Sequence, residues 1–306
     1  MKFKFANLLI LACAALCTHA YAKEPTNVEN EVLEEQQAEL SFLHADGLTF
    51  TTIDLSTGLV FLRVNLQGKE IWALLDNGSD TTIIDRSLAN NLEIPVSDAE
   101  GFVTTNFGRL TTNRTVGAQF QVPQQFKTTA NFWSADLASV SSAIGKDIGI
   151  IIGADILDKI SYIVDPNRSR ILFAQSGTLN FNAPNMVKLP VVDGTVEAQI
   201  NGQKANLRVD LGSTSFLRIL QNRWSEVFPN TEPAALGKSV DGAGIVNQNV
   251  GAKEVVLEIS RFQAVGDVAV TRSLGQRGDG YLGVPFFRDK AVLFDYPDGK
   301  IVILGR

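Results

Sequence analysis

The stretch Ala73-Leu74-Leu75-Asp76-Asn77-Gly78-Ser79-Asp80 decides how this chain is read. An apolar run ends on a carboxylate, and the chain then turns through Asn-Gly. Taken alone, the segment reads as a β-hairpin, because Asn-Gly between apolar runs is the strongest short hairpin signal. A second copy argues against that reading. LQGKEIWALLDNGSDTTIID begins at Leu66 and INGQKANLRVDLGSTSFLRI at Ile200. Laid over each other without a gap, Gly68 falls on Gly202, Asp76 on Asp210, Gly78 on Gly212 and Ser79 on Ser213, an offset of 134 residues. Leu211 occupies the place of Asn77, and leucine is a poor occupant of a turn position that needs positive φ. The features common to both copies are Asp, Gly and Ser, which a plain hairpin does not require.

A second repeat follows the first. IIIGADILDKISYIVDPNRSRILF begins at Ile150 and GYLGVPFFRDKAVLFDYPDGKIVIL at Gly280, so that Gly153 falls on Gly283 and Asp165 on Asp295 at an offset of 130. Each half therefore runs strand, apolar segment into Asp-x-Gly-Ser, a variable stretch, apolar-apolar-Gly, and a terminal hairpin. From Gly47 onward, short runs rich in Val, Ile, Leu, Phe and Thr alternate with Gly, Asn, Asp and Pro, which predicts a mainly-β fold of many strands. The best helix candidate is short, Asp85 to Ile94. The expected organisation is a signal peptide over 1–22, an acidic lead over 23–46 read as a solvated spacer, a first lobe over 47–178 and a second over 179–306.

Composition restricts the chemistry. Lys2 and Lys4, the apolar run Leu8 to Leu16 and Ala20-Tyr21-Ala22 read as a secretory signal, and the apolar run is too short to span a bilayer. Export to a periplasm or the exterior is the expected destination; acylation at Cys13 is the alternative processing. Loss of the signal removes both cysteines, Cys13 and Cys17, and His19, leaving His44 as the one histidine. Thiol catalysis and His/Cys metal clusters then have no residues to work with, and no cofactor is expected. Loss of Lys2 and Lys4 takes the formal charge from −6 to −8, which disfavours nucleic acid and anionic membrane as partners. What remains is carboxylates, hydroxyls, lysines and backbone.

Asp-x-Gly-Ser after an apolar strand, followed downstream by apolar-apolar-Gly and present twice, resembles the aspartic proteases of the pepsin and retropepsin group. The resemblance implies a single-chain, two-lobed form, a monomer with an internal pseudo-dimer, and two β-barrel lobes with a cleft between them. It implies that Asp76 and Asp210 are a shared catalytic pair. Gly78 and Gly212 match the family's turn glycines, and Ser79 and Ser213 match the position whose hydroxyl bonds the carboxylate. Ile150–Gly153 and Gly280–Gly283 match the segment packed behind each turn. The family's glycine-bearing flap has candidates in Val103 to Asn113, with Phe107 and Gly108, and in Asp241 to Asn249, with Gly242 and Gly244. The implied activity is endopeptidase cleavage of a peptide or unfolded protein by a water activated between two carboxyls that share a proton.

Two departures define an alternative. The family usually places Thr between the Asp and the Gly, and those threonines bond reciprocally beneath the pair; here the residues are Asn77 and Leu211, and leucine neither donates nor accepts. Arg208, two residues before Asp210, would share its face on an extended strand and would hold the carboxylate ionised if it reached it. The sequence favours its turning to solvent. The alternative function is a catalytically impaired relative that binds a peptide or partner in the same cleft. Asp165 and Asp295, in DPNRSR and DYPDGK, read as formers of solvent turns.

Overall fold

The computed structural model describes residues 38–43, 48–105, 108–180, 185–272 and 278–304. The protein is mainly β, its strands forming two sheets among the described residues. The signal segment, His44 and Phe107 lie outside the described residues.

The strand Lys69–Leu75 carries the first motif. Ala73, Leu74 and Leu75 are all inaccessible to solvent, the continuous apolar run expected of a strand covered on both faces. It lies antiparallel to Phe61–Leu66 and parallel to Ile150–Ile152, which in turn runs antiparallel to Ile83–Asp85. The chain thus leaves Leu75, turns through the Asp-Asn-Gly-Ser segment and returns on the far side of Ile150–Ile152. The second half repeats this: Gln203–Asp210 is parallel to Gly280–Gly283, which is antiparallel to Leu217–Leu220. Even the register repeats. Ala73 faces Ile150 and Leu74 faces Ile151; Leu207 faces Gly280 and Arg208 faces Tyr281.

One sheet joins the halves. Its strands run in the order Met186–Pro190, Lys300–Leu304, Ala291–Asp295, Ser161–Asp165, Arg170–Ala174 and Thr51–Asp54. At its centre Ile163 pairs with Leu293, its own equivalent at the 130-residue offset, so the pseudo-twofold axis passes through that pair. Tyr162 stacks on Phe294 beside it, centroids 4.9 Å apart. The fully buried aromatic and aliphatic side chains of this joint fix how the two Asp-bearing turns approach each other.

Two expectations are revised by the structure. The segment read as a solvated spacer ends instead in a strand, Glu39–Phe42, paired antiparallel with Phe126–Ala130, and Phe42 packs on Phe126 with ring centroids 6.3 Å apart. The acidic run masked a two-residue alternation, Leu40 and Phe42, that packs against the core. Asp165 and Asp295 are buried rather than exposed. Asp165 Oδ2 accepts from Arg168 and Arg170 at 3.1 Å each, and Asp295 accepts from the Ser176 hydroxyl at 2.6 Å and the Gly177 N–H at 3.0 Å, tying the segment between the halves to the second hairpin. The predicted helix forms over Arg86–Asn91, capped by Asp85, whose Oδ1 accepts the Leu88 N–H at 2.9 Å.

Candidate active site

Each motif strand ends by delivering its carboxylate into a turn built from backbone. The Asp76 N–H is held by Ile152 O at 3.0 Å, and Asp76 Oδ1 accepts the N–H groups of Gly78 and Ser79 at 3.0 and 3.1 Å. In the second half Asp210 Oδ1 accepts the Gly212 N–H at 2.9 Å. Behind the turns, the Ala154 N–H donates to Ser79 O at 2.7 Å and, equivalently, the Val284 N–H to Ser213 O at 3.0 Å. Gly153 and Gly283 are required there by space: a Cβ would stand 2.9 Å from Thr82 N in one half and 2.6 Å from Ser213 O in the other.

The two turns face each other across the lobe boundary. A Cβ at Gly78 would stand 2.6 Å from Asp210 Cγ, and one at Gly212 would stand 2.5 Å from Asp76 Oδ2. Each glycine is therefore the gap through which the opposite carboxyl approaches. Asp76 and Asp210 are both buried, at 1% and 0% exposure. Burial, the largest cause, raises the Asp76 pKa to about 6 and that of Asp210 well above the carboxylate range; for Asp210 the neighbouring Asp76 charge adds to it. Asp210 Oδ2 is buried without a hydrogen-bond partner.

Over each half stands a β-hairpin. Val96–Thr104 pairs with Arg109–Thr115, and Ala234–Val240 with Val246–Ile259. Their tips touch: the Thr105 hydroxyl donates to Asp241 Oδ2 at 2.5 Å, both residues being buried. A Cβ at Gly108 would meet Ile245 Cδ1 at 2.5 Å, and one at Gly244 would lie 3.4 Å from Ser139 Oγ on the helix Ala138–Ile144 of the first half. Gly242 is buried in the same turn.

Residues 62–156 match the family model described as aspartyl protease. The match begins in the strand before Lys69–Leu75, passes through Asp76 and ends just beyond Gly153. No curated protein sequence matches the chain. Among solved structures, basic 7S globulin from soybean aligns over 84% of this chain and 95% of its own length, at 11% identity and a TM-score of 0.44.

The joint beneath the carboxyls is asymmetric. Asn77 Oδ1 accepts the Leu211 N–H at 2.8 Å, while Asn77 Nδ2 donates to the Tyr296 hydroxyl at 3.0 Å. Leu211 cannot return the bond. The return comes from Arg208, whose Nη2 donates to Asn77 O at 2.6 Å and whose Nη1 pairs with Asp80 at 3.4 Å. Arg208 is thus neither turned to solvent nor bonded to Asp210. It is buried and crosses to the other lobe, because Asn77 O and Asp80 offer it acceptors there. Its positive charge still lowers both carboxyl pKa values against the upward push of burial. The serine hydroxyls also differ from expectation. Ser79 bonds Asp76 through its N–H, and its hydroxyl donates to Thr81 O at 2.8 Å; the Ser213 hydroxyl accepts the Ser215 N–H at 3.2 Å. Tyr296 and the Thr105–Asp241 contact carried no signal in the sequence, since each depends on a partner 219 or 136 residues away.

Proposed function

We propose that this chain is an exported aspartic endopeptidase that hydrolyses peptide bonds by a water held between Asp76 and Asp210. The observation that carries the reading is reciprocal: each motif glycine leaves room for the other lobe's carboxyl, so two buried acids share one site. Their raised pKa values favour a state with one proton between them at acidic to near-neutral pH.

Asp76 Oδ1 accepts two N–H groups and Asp210 Oδ1 accepts one. The anion is better stabilised on Asp76, and the shared proton rests nearer Asp210. In the reaction the ionised carboxyl takes a proton from water as the water oxygen attacks the peptide carbonyl carbon. The protonated carboxyl gives its proton to the carbonyl oxygen, forming a neutral tetrahedral diol. Collapse of the diol breaks the C–N bond as the leaving nitrogen takes a proton, and one proton is left on the pair. No bound metal enters these steps. The alternative, a cleft that binds without cleaving, rested on the missing Thr pair. Asn77 and Arg208 supply interlobe bonds in that place, which removes its motive.

The test is incubation of the mature protein with an unfolded protein from pH 3 to 7, with and without pepstatin, beside Asp76→Asn and Asp210→Asn. Cleavage that pepstatin inhibits and that each substitution abolishes supports the reading. Cleavage indifferent to both substitutions, or none at any pH, overturns it.

A further inference from the structure

The pseudo-twofold brings equivalent positions into comparison, and one row differs in kind between the halves. In the first half Leu74 pairs with Ile151 and Ile151 with Ile83. In the second, Arg208 pairs with Tyr281 and Tyr281 with Arg218. Registered neighbours share a sheet face, and residues i and i+2 of a strand do too. Leu74 shares its face with Asp76, and Arg208 shares its face with Asp210. Both rows therefore lie on the carboxyl-bearing side, beneath the hairpins.

The first row is apolar and joins a cluster that includes Val103 of its hairpin. The second is cationic and polar, and its hairpin carries Ser239 and Asn249. Arg218 is fully buried. Its Nε donates to the Ser215 hydroxyl at 3.0 Å and its Nη2 to Asn249 Oδ1 at 3.3 Å, an oxygen that also accepts from the Ser239 hydroxyl at 2.9 Å. Its Nη1 has no partner. Among the described residues no carboxylate pairs with it. A guanidinium buried with only neutral acceptors is costly, and Arg208, which has its own partners, does not share that condition.

We propose that Arg218 selects the substrate: it receives an acidic side chain of the bound peptide on the second-lobe side of the carboxyl pair. The inference rests on the peptidase reading above. Lifting the hairpin strand Val246–Ile259 carries Asn249 off Nη2, leaving Nη1 and Nη2 side by side for a two-pronged bond to a carboxylate. The preferred substrates are then unfolded segments in which an acidic residue flanks the cut bond.

The test starts with digestion of unfolded proteins and mass-spectrometric mapping of the cuts by wild type, Arg218→Lys and Arg218→Met. Asp and Glu should be enriched on one side of the cut in wild type, less so with Lys, and not with Met. Matched peptides carrying Glu or Gln at each position flanking the cut should then differ at the enriched one by about tenfold in KM, with kcat little changed, as loss of one charge-assisted pair implies. Equal use of Glu and Gln overturns the inference and leaves the peptidase reading standing. If wild type cleaves nothing, the peptidase reading falls, and the same peptides are titrated into Asp76→Asn by fluorescence anisotropy: tighter binding of a Glu peptide than its Gln partner sustains Arg218 as the acid-binding residue, and equal binding overturns it. Should Arg218→Met fail to fold by circular dichroism, the Glu/Gln comparison on wild type decides alone.

Discussion

Asn77 Oδ1 accepts the Leu211 N–H across the lobe boundary at 2.8 Å, and Leu211 has no side-chain atom with which to reciprocate. The joint under the two carboxyls is therefore held from one side by an amide and from the other by the Arg208 guanidinium on Asn77 O. Replacing Asn77 by Ala leaves the buried Leu211 N–H unpaired and removes the bond to Tyr296. An unsatisfied buried donor costs about 1–3 kcal/mol, and a displacement of ~1 Å at reacting groups can cost about 100-fold in rate. Asn77→Ala should melt several degrees lower and lose most of its kcat while still binding pepstatin. Melting curves and peptide kinetics check this; unchanged kcat would show that the joint does not position the acids.

The reciprocal glycines make a sharper demand. Alanine at Gly78 drives a methyl into the Asp210 carboxyl, and alanine at Gly212 drives one into that of Asp76. The obstacle in each case is the other lobe's acid on its own rigid turn, so relief requires the lobes to part. Gly78→Ala and Gly212→Ala should each abolish cleavage and lower the melting temperature. A folded Gly78→Ala protein with wild-type turnover would mean that the two turns are farther apart in solution.

Much of this arrangement was readable in the chain. The gapless repeat aligned Asp76 with Asp210, and the structure places the two in equivalent turns with the same strand registers. That worked because a strand covered on both faces followed by a backbone-bonded turn is a local pattern. What was not readable depends on distant partners. Arg208 was expected to turn to solvent because strand geometry changes at the turn after it, yet Asn77 O and Asp80 receive it from the other half. Leu40 and Phe42 were lost in a run of acids, although their alternation is a strand's. Asp165 and Asp295 carry turn residues around them and are nonetheless buried, one under two arginines and one against Ser176 and Gly177.

The raised carboxyl pKa values predict how stability changes with pH. Between the ordinary value of 3.8 and about 6 for Asp76, and further for Asp210, the folded state holds more protons than the unfolded state. Stability is therefore lost as pH rises through that window, and the loss is absent below it. Asn at either position removes a charge that folding must bury. Asp210→Asn should match wild type in melting temperature near pH 3, and exceed it by an amount that grows from about pH 4 to pH 7. Thermal melts at fixed ionic strength measure the difference. A variant less stable than wild type at pH 7 would mean that the hydrogen bonds of the carboxyl outweigh its burial.

Asp241 Oδ1 accepts the N–H groups of Ala243 and Ile245 at 3.0 and 2.8 Å, shaping its own turn, while Oδ2 takes the Thr105 hydroxyl from the opposite hairpin. Thr105 Oγ1 also accepts the Gly108 N–H at 3.0 Å, so one hydroxyl organises its own tip and latches it to the other. On the proposed peptidase reading a substrate passes between these tips to reach the buried acids, and opening costs at least this charge-assisted bond. Thr105→Ser keeps the hydroxyl and should behave as wild type. Thr105→Val keeps the shape and removes both bonds; amides in both hairpins should exchange faster with deuterium, although only one hairpin carries the substitution. Hydrogen-exchange mass spectrometry on peptides covering the two tips reads this directly. Faster exchange confined to the substituted hairpin would assign Thr105 to its own turn alone and leave the closure of the tips to the packing of Gly108 on Ile245.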